Sequence, residues 1–477
     1  MTAVTAVTAV SVEIGRRRPT AVTPPPVDLH PELLALDAGE QYRFGFSMSA
    51  CIGCHSCEVA CAEQNGLPEG IVWRRVGEVE GGTYPDTQRL QLSMACNHCL
   101  DPACLTGCPT NAYEKLANGV VAHHADECIG CQYCTWNCPY SVPVYQPDRR
   151  IVTKCDLCLP RLEEGLAPAC VDACPTRAIT VETVNVAEWR ADHTAGDAPH
   201  LPSSDLTLST TRIELPAEVP AHSIAASDWS LHPQDPHWPL VWLTVLTQVA
   251  VGVSATVVDG TDRVLAAGLA VAALAGSFAH LGRPGLAWKA LRNLRRSWLS
   301  REVALFALYA GLAALAVVEP GVAPAAAVVG VAGVYASARL YIVPGRPSWD
   351  SPVTLVSFGA TGLAVGPALT GRPVLSAIGA VVAVAALAAN VARLAGSRDI
   401  ARRGTVDLLV HRFSAPVGAR VAAMVVGAAV ALLGGPLVLS AALVIVGEVV
   451  GRWLFYVTVV PRNMPGSFWR GAGGASG

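Results

Sequence analysis

Apolar residues gather in the second half of the chain in eight long stretches, at about 238–258, 263–281, 302–319, 321–343, 352–370, 373–395, 416–434 and 436–460. Each is close to the ~20 residues that cross a bilayer as a helix. The stretches at 374–389 and 421–433 are apolar on nearly every face, whereas a helix of a soluble core keeps a polar side. The pattern predicts an all-α membrane bundle of eight transmembrane helices over 237–462. Two junctions, Glu319-Pro320 and Gly434-Gly435-Pro436, are tight enough for helical hairpins.

Ahead of this bundle the pattern changes. Residues 187–236 are rich in Pro, Ser, Asp, His and Thr and lack helical periodicity, so they read as an extended linker. Residues 1–40 carry a threefold Thr-Ala-Val repeat, then Arg16-Arg17-Arg18 and Pro24-Pro25-Pro26, and read as a flexible leader. The arginines are followed by proline, where an export signal has an apolar stretch and a small-residue cleavage site. Residues 463–477 are read as a tail.

Composition supports this division. With 52% apolar and 15% charged residues and a mean hydropathy of +0.40, the chain is built to bury surface in lipid. A net charge of −3 gives no reason to expect a nucleic-acid partner. All 16 cysteines lie between Cys51 and Cys174, inside a segment 41–186 that forms a second module.

Those cysteines fall into four quartets: Cys51, Cys54, Cys57 and Cys61; Cys96, Cys99, Cys104 and Cys108; Cys128, Cys131, Cys134 and Cys138; and Cys155, Cys158, Cys170 and Cys174. The first and third are spaced two, two and three residues apart. Three thiolates so close wrap a tight loop around one cubane, and the fourth, ahead of a helix, reaches a neighbouring one. This resembles the bacterial ferredoxin run and predicts an α+β double ferredoxin-like cluster domain over 41–186 with four 4Fe–4S clusters. Zinc knuckles use paired cysteines separated by a longer finger, and a disulfide framework would leave the spacing unexplained. Nested ferredoxin units would pair quartet one with four and two with three; sequential pairing, one with two and three with four, is the competitor.

The stretch from Cys128 to Tyr140 (Cys-Ile-Gly-Cys-Gln-Tyr-Cys-Thr-Trp-Asn-Cys-Pro-Tyr), with Pro143 and Tyr145, and the wide fourth quartet flanked by Lys154 and Asp156, resemble the iron–sulfur subunit of dimethyl sulfoxide reductase-type molybdoenzymes. The membrane half resembles the anchor subunit of the same enzymes. The matching motifs are His237-Trp-Pro-Leu240, Ala279-His280-Leu281-Gly282-Arg283-Pro284, Leu299-Ser-Arg-Glu302, Arg339-Leu-Tyr341, Pro347-Ser-Trp349, and Gly447-Glu448 with Gly451-Arg452. In relatives the two halves are separate subunits; here they are fused. The resemblance implies nested pairing, with the one–four pair toward a molybdopterin (molybdenum or tungsten) catalytic subunit. Cys131 stands where a variant of the family has tryptophan and a three-iron cluster, so four cubanes are expected.

The resemblance also implies a menaquinone site, with His280 and Glu302 at one membrane face as proton acceptors for the quinol. Otherwise His280 caps a helix end, and Glu302 pairs with Arg283 or Arg301. Glu448 and Arg452, four apart on one helix, are expected to neutralise each other. Haem needs facing axial ligands; beyond His237 the membrane half has only His280 and His411, the latter in a polar loop, so no haem is expected.

Basic residues concentrate in the loops after the second, fourth and sixth helices and in the tail, against little beyond Arg263 and Arg372 opposite. Positive charge marks cytoplasmic loops. The expectation is a multi-pass protein of the bacterial cytoplasmic membrane, with the cluster domain and both termini cytoplasmic. The expected function is an electron-transfer and membrane-anchor subunit, without catalytic residues of its own, passing electrons between membrane (mena)quinone and a partner. The alternative is a free-standing quinone reductase fed by another soluble donor.

Overall fold

The computed structural model describes residues 36–219, 223–225 and 231–463. The expected leader and tail lie almost entirely outside the described residues.

The cluster domain is held at its base by strand β1 (Glu40–Ser47), where Tyr42, Phe44 and Phe46 alternate into the core. Helix α1 (Ser56–Gln64) follows the first cysteine loop, and the hairpin β2 (Arg75–Thr83) and β3 (Asp86–Met94) crosses above it. Next come α2 (Ala103–Gly107), the small hairpin β4 (Tyr113–Lys115) and β5 (Val121–His123), and α3 (Tyr133–Asn137). A second small hairpin follows, β6 (Val144–Gln146) and β7 (Ile151–Thr153), then α4 (Leu159–Glu163), α5 (Ala169–Asp172), β8 (Ile179–Asn185) and α6 (Val186–Ala191). β1 pairs antiparallel with β8, Phe44 opposite Val181. That pairing closes the domain on itself, because β1 leads into the first quartet and β8 leaves the fourth.

The segment 187–236 departs from expectation. It is not a free connector over its described part: β9 (Arg212–Glu214) adds to β1 in parallel, and β10 (Ser223–Ala225) adds to β2. Between α6 and β9, Ser204, Thr207, Ser209, Thr210 and Thr211 are buried. Thr210 Oγ1 donates to Asn97 O at 2.6 Å. The segment is held by hydroxyl and backbone hydrogen bonds over three-residue strands, which leaves no apolar periodicity to read.

Among the described residues, eight helices are long and apolar enough to cross a membrane. They are α7 (Trp238–Ala255), α8 (Gly260–Ser277, extended by a 3₁₀ turn to His280), α9 (Trp298–Val318), α10 (Ala323–Tyr341), α11 (Pro352–Leu369) and α12 (Pro373–Ala395), then, after one short helix, α14 (Ser414–Leu432) and α15 (Leu437–Val457). The short helix α13 (Ile400–Asp407) and a π turn to Arg412 fill the sixth connection, which the apolar pattern alone does not reveal. Polar caps start several helices: Asp259 accepts from Thr261 N and Asp262 N, and Ser351 accepts from Val353 N. Helices α7 and α11 approach closely through glycines. A Cβ on Gly252 would fall on the Gly362 carbonyl, and one on Gly366 on the Gly252 backbone.

The cluster domain sits on the end of the bundle formed by the second, fourth and sixth connections and the C-terminal segment. Gly282 N and Arg283 N donate to Gly130 O and Ile129 O (3.4 and 3.0 Å). Tyr133 Oη donates to Leu340 O (2.7 Å), Asn293 Nδ2 to Cys108 O (2.8 Å), and Ser141 Oγ to Arg462 O (2.9 Å). Lys289 pairs with Glu127 at 3.0 Å, and Arg292 pairs with the same carboxylate.

The glycine approach in the bundle gives a direct test. Gly252→Leu should destabilise the detergent-solubilised protein by about 1–3 kcal/mol or more, through overpacking. Gly268→Leu, with open space around its Cβ, should leave the thermal unfolding midpoint close to wild type.

Candidate functional site: four thiol groups and a buried membrane corner

Each cysteine loop turns through left-handed backbone. Gly53 and Gly130 take φ of 66° and 69°, where a side chain would be strained, and the following His55 and Gln132 take 60° and 59°. These turns curl the loop so that its cysteines converge.

They converge across the nested pairs. Cys51, Cys54, Cys57 and Cys174 line one space together, and Cys96, Cys99, Cys104 and Cys138 line another. Cys61 interacts with Cys170 and Cys158, and with Cys155, which completes a third group. Cys131 and Cys134 interact with Cys128 and Cys108, the fourth. Helix packing agrees, since α1 lies on α5 and α2 on α3. Gly107 allows the second contact, because a Cβ there would strike Asn137. Among the described residues no three Cys, His, Asp or Glu side chains close on a single ion position; the thiols stand around spaces instead.

The surroundings suit an anionic iron–sulfur centre. Ala112 N donates to Cys108 Sγ at 3.3 Å, Ala178 N to Cys174 Sγ at 3.2 Å, and Thr207 Oγ1 to Cys99 Sγ at 3.1 Å. Arg74 is fully buried among Cys57, Cys61, Cys155 and Cys170, with Nε and Nη2 free of protein partners. Lys154 is buried beside Cys96, Cys104 and Cys155. Burial, reinforced by neighbouring thiols, pushes Cys61 and Cys99 up to about 12, and Cys138 and Cys158 up to about 11. Keeping them all as thiolates takes the positive charge of bound iron. The donor set fits such clusters.

The four groups run in a row. The group of Cys108, Cys128, Cys131 and Cys134 touches the bundle, since its loop holds Gly130 and its helix holds Tyr133. Cys138 joins it to the second group through α3, Cys96 meets Cys155 of the third, and Cys57 meets Cys170. The last group reaches the surface, with Cys54 exposed and Ile52 and Val59 standing out beside it.

Beneath the bundle-side group lies an aromatic corner. Trp136 packs on Tyr341, Trp349, Tyr456 and His237, with ring centroids 5.4–6.3 Å apart. Tyr341 and Tyr456 share a hydrogen bond of 2.5 Å between hydroxyls. Glu302, 6% exposed, faces Ser337 and lies within electrostatic reach of Tyr133, Tyr341 and Tyr456. It lies one turn inside α9 rather than at its start. His280, half-buried, has His237 as a neighbour, and its Nδ1 has no protein partner. Burial pulls the His237 imidazole below its usual range, opposed by Asp235.

His280 and Glu302 thus share one corner, yet no hydrogen bond or ion pair among the described residues joins them. Nor does Glu302 find the arginines that could have neutralised it. Arg283 donates to Ala125 O, and Arg301 to Leu294 O and Arg295 O. Sequence reasoning left Trp136, Tyr133, Tyr341, Tyr456 and His237 without roles. Their signal was there in the aromatics interleaved with Cys131, Cys134 and Cys138 and in the motifs around His237 and Tyr341.

Fold and site together define a membrane-anchored iron–sulfur protein. Residues 88–184 match a 4Fe-4S dicluster domain, and residues 232–396 match the DMSO reductase anchor subunit (DmsC). The B component of the anaerobic dimethyl sulfoxide reductase of Haemophilus influenzae is 39% identical over 177 residues, 35% of this chain and 86% of the relative. Its counterpart in Escherichia coli is 38% identical over 175 residues, 35% of this chain and 85% of the relative. The B component of the sulfite dehydrogenase of Allochromatium vinosum is 37% identical over 160 residues, 29% of this chain and 67% of the relative. The protein belongs to the family of dimethyl sulfoxide reductase iron–sulfur subunits, fused here to a DmsC-type membrane anchor.

The nested grouping can be checked by spectroscopy. Cys108→Ser and Cys131→Ser should perturb the same paramagnetic cluster signal, and Cys104→Ser a different one shared with Cys138→Ser. Under sequential pairing Cys108 would instead share a signal with Cys51.

Proposed function

We propose that the chain is the electron-transfer and membrane-anchor subunit of a molybdopterin oxidoreductase, working between menaquinol and a catalytic subunit. The observation that carries this reading is the row of four thiol groups, one end against the aromatic corner and the other open at Cys54. When bound, four 4Fe–4S clusters would supply one-electron relays along that row. Cys51, Cys54, Cys57 and Cys174 would hold the outermost, and Cys108, Cys128, Cys131 and Cys134 the one nearest the membrane.

The membrane corner supplies what quinol oxidation asks of a protein. His280 Nδ1 is a buried atom with no protein partner, suited to one quinol oxygen, and the Glu302 carboxylate can take a proton. An ionisable residue at this depth is a functional candidate by default. Tyr133, Trp136 and Tyr456 wall the corner off from bulk water, so a ring seated there meets the innermost thiol group without solvent between.

At the opposite end the exposed Ile52 and Val59 beside Cys54 form an apolar edge suited to a partner. Each relative named above is the B component of its enzyme, which supports a large catalytic subunit at that edge. The basic loops share the docking end of the bundle, which supports a cytoplasmic cluster domain. Arg283, Lys289 and Arg292 are engaged with that domain, so the bias rests on Arg295, Arg296 and the arginines of the sixth connection. Quinol oxidised at this end would release its protons on the cytoplasmic side, making turnover electroneutral.

Purification of the tagged chain from its native membrane in mild detergent tests the assembly. The expected result is about sixteen irons per chain, four per cluster, with a stoichiometric large subunit carrying molybdenum or tungsten. Sixteen irons with neither metal nor large subunit would favour the free-standing quinone reductase. In the purified complex, Glu302→Gln and His280→Ala should each slow quinol-driven cluster reduction by about a hundredfold or more. Reduction by dithionite should stay complete.

A further inference from the structure

The innermost thiol group differs from the other three in its surroundings. Arg74 and Lys154, both buried, lie among the cysteines of those three. The group of Cys108, Cys128, Cys131 and Cys134 has Arg283 within reach of Cys128, but Arg283 Nη1 donates to Ala125 O at 2.9 Å. Backbone groups meet its sulfurs instead: Ala112 N donates to Cys108 Sγ at 3.3 Å, Gly130 N and Val152 N reach Cys128, and Tyr133 N reaches Cys131. For Cys134 the donor at hand is a side chain, the Tyr113 hydroxyl.

Tyr113 is placed there by its strand. The chain turns through left-handed backbone at Asn111 (φ 58°), and the next residue, Ala112, is tied to Cys108 Sγ, so β4 starts against the group. Tyr113 stands opposite His123 of β5, and the two rings pack with centroids 4.8 Å apart. It shares a core with Cys108, Cys128, Cys134, Ile151 and Val152 and is 5% exposed. Its hydroxyl is buried within reach of Cys134 Sγ, with Cys104 and Cys108 beyond, yet closes no hydrogen bond on any protein atom. A buried hydroxyl without a partner is costly. The acceptors this one faces are sulfurs.

We infer that the Tyr113 hydroxyl is the side-chain hydrogen-bond donor to the iron–sulfur centre held by Cys108, Cys128, Cys131 and Cys134, and that it raises the reduction potential of that centre. The inference rests on reading the four thiol groups as 4Fe–4S sites. Reduction adds one electron to a centre whose sulfurs already carry negative charge, and a donor aimed at one of them favours the reduced state. The electron comes from the reductant, and the tyrosine keeps its proton in both states. A neutral donor does this without burying a further charge at the membrane end of the row. In the proposed route this is the group that takes electrons from the quinol first, so Tyr113 is a positioning residue for the entry step.

The test is a dithionite titration of the intact complex followed by electron paramagnetic resonance, with proton couplings compared in H₂O and D₂O. Tyr113→Phe keeps the ring against His123 and removes only the hydroxyl. It should make the signal that Cys131→Ser perturbs harder to reduce by about tenfold, a midpoint about 59 mV lower for one electron. That signal should also lose one exchangeable-proton coupling, and the other three should move by less than about threefold. Replacing Tyr113 by 3-fluorotyrosine, whose more acidic hydroxyl is the stronger donor, should raise the same midpoint. Tyr140→Phe removes a buried hydroxyl that donates to Ser203 O at 3.1 Å and should leave it within about twofold of wild type. A midpoint within about twofold of wild type in Tyr113→Phe, or an unchanged proton coupling, would overturn the donor. So would a common shift of all four signals, which marks a change of packing. Where Tyr113→Phe does not assemble, the fluorotyrosine protein decides, and a midpoint that fails to rise overturns the donor. A chain in which Cys131→Ser perturbs no cluster signal would overturn the cluster reading itself, and the donor with it.

Discussion

The contact on which the rest depends is backbone against backbone: the loop of Cys128 and Cys131 seated on the loop that follows His280. Gly130 and Gly282 meet there so closely that a Cβ on either would collide with the Arg150 carbonyl or with the other loop. Two hydrogen bonds lock the pair in register, Gly282 N to Gly130 O and Arg283 N to Ile129 O. Around that point Tyr133 fastens α3 to the end of α10, and Asn293 and Ser297 fasten the connection after His280 to the carbonyls of Cys108 and Gly107. A glycine pair needs no side chain to mediate the approach, so the innermost thiol group is held directly over the end of α8 and the first turns of α9. The geometry of the membrane corner follows from that closeness.

The second constraint is electrostatic. Sixteen thiols share one small domain, and burial makes the deeper ones, Cys61 and Cys99 among them, harder to ionise. The protein answers with cations placed between the groups rather than within them. Arg74 lies among Cys57, Cys61, Cys155 and Cys170, and Lys154 beside Cys96, Cys104 and Cys155. Lys154 also donates to the Cys155 carbonyl at 2.9 Å and to the Val121 carbonyl, so it braces the backbone as it supplies charge. Cations at these positions act on two neighbouring groups at once.

Much of this was legible in the sequence, because the strongest signals are local. Cysteine spacing fixes loops of a few residues, and the apolar stretches fix helices one at a time; all eight membrane helices lie where the hydropathy places them. What the sequence hid was long-range. The parallel addition of β9 to β1 joins residues far apart in sequence by three-residue strands, too short to show a period. The buried threonines from Thr207 to Thr211 look like linker composition because they are bound by hydroxyls rather than by apolar area. The partner of Glu448 proved to be Arg420, on a different helix, because the turn that brings Arg452 alongside Glu448 also points its guanidinium at Gln248 and Phe358. Four-residue spacing reports proximity along a helix and says nothing of which neighbour a third helix will insert.

The distribution of charge inside the bundle argues for one-sided chemistry. Away from the helix ends, the buried acidic and basic side chains among the described membrane helices are Glu302, Arg420, Glu448 and Arg452. All lie between the docking end and the middle of the bundle. The opposite half packs through glycine, alanine and valine, as where Gly252 meets Gly362 and Gly366, and its polar contacts are hydroxyl bonds such as Thr256 to Thr370 at 2.9 Å. The charged groups thus lie toward the docking end, and a close-packed layer of small side chains lies in the other direction. Fusing the cluster domain to the anchor keeps the same docking contacts on every copy of the protein, so the innermost thiol group and the corner of Glu302 and His280 are held in one fixed relation.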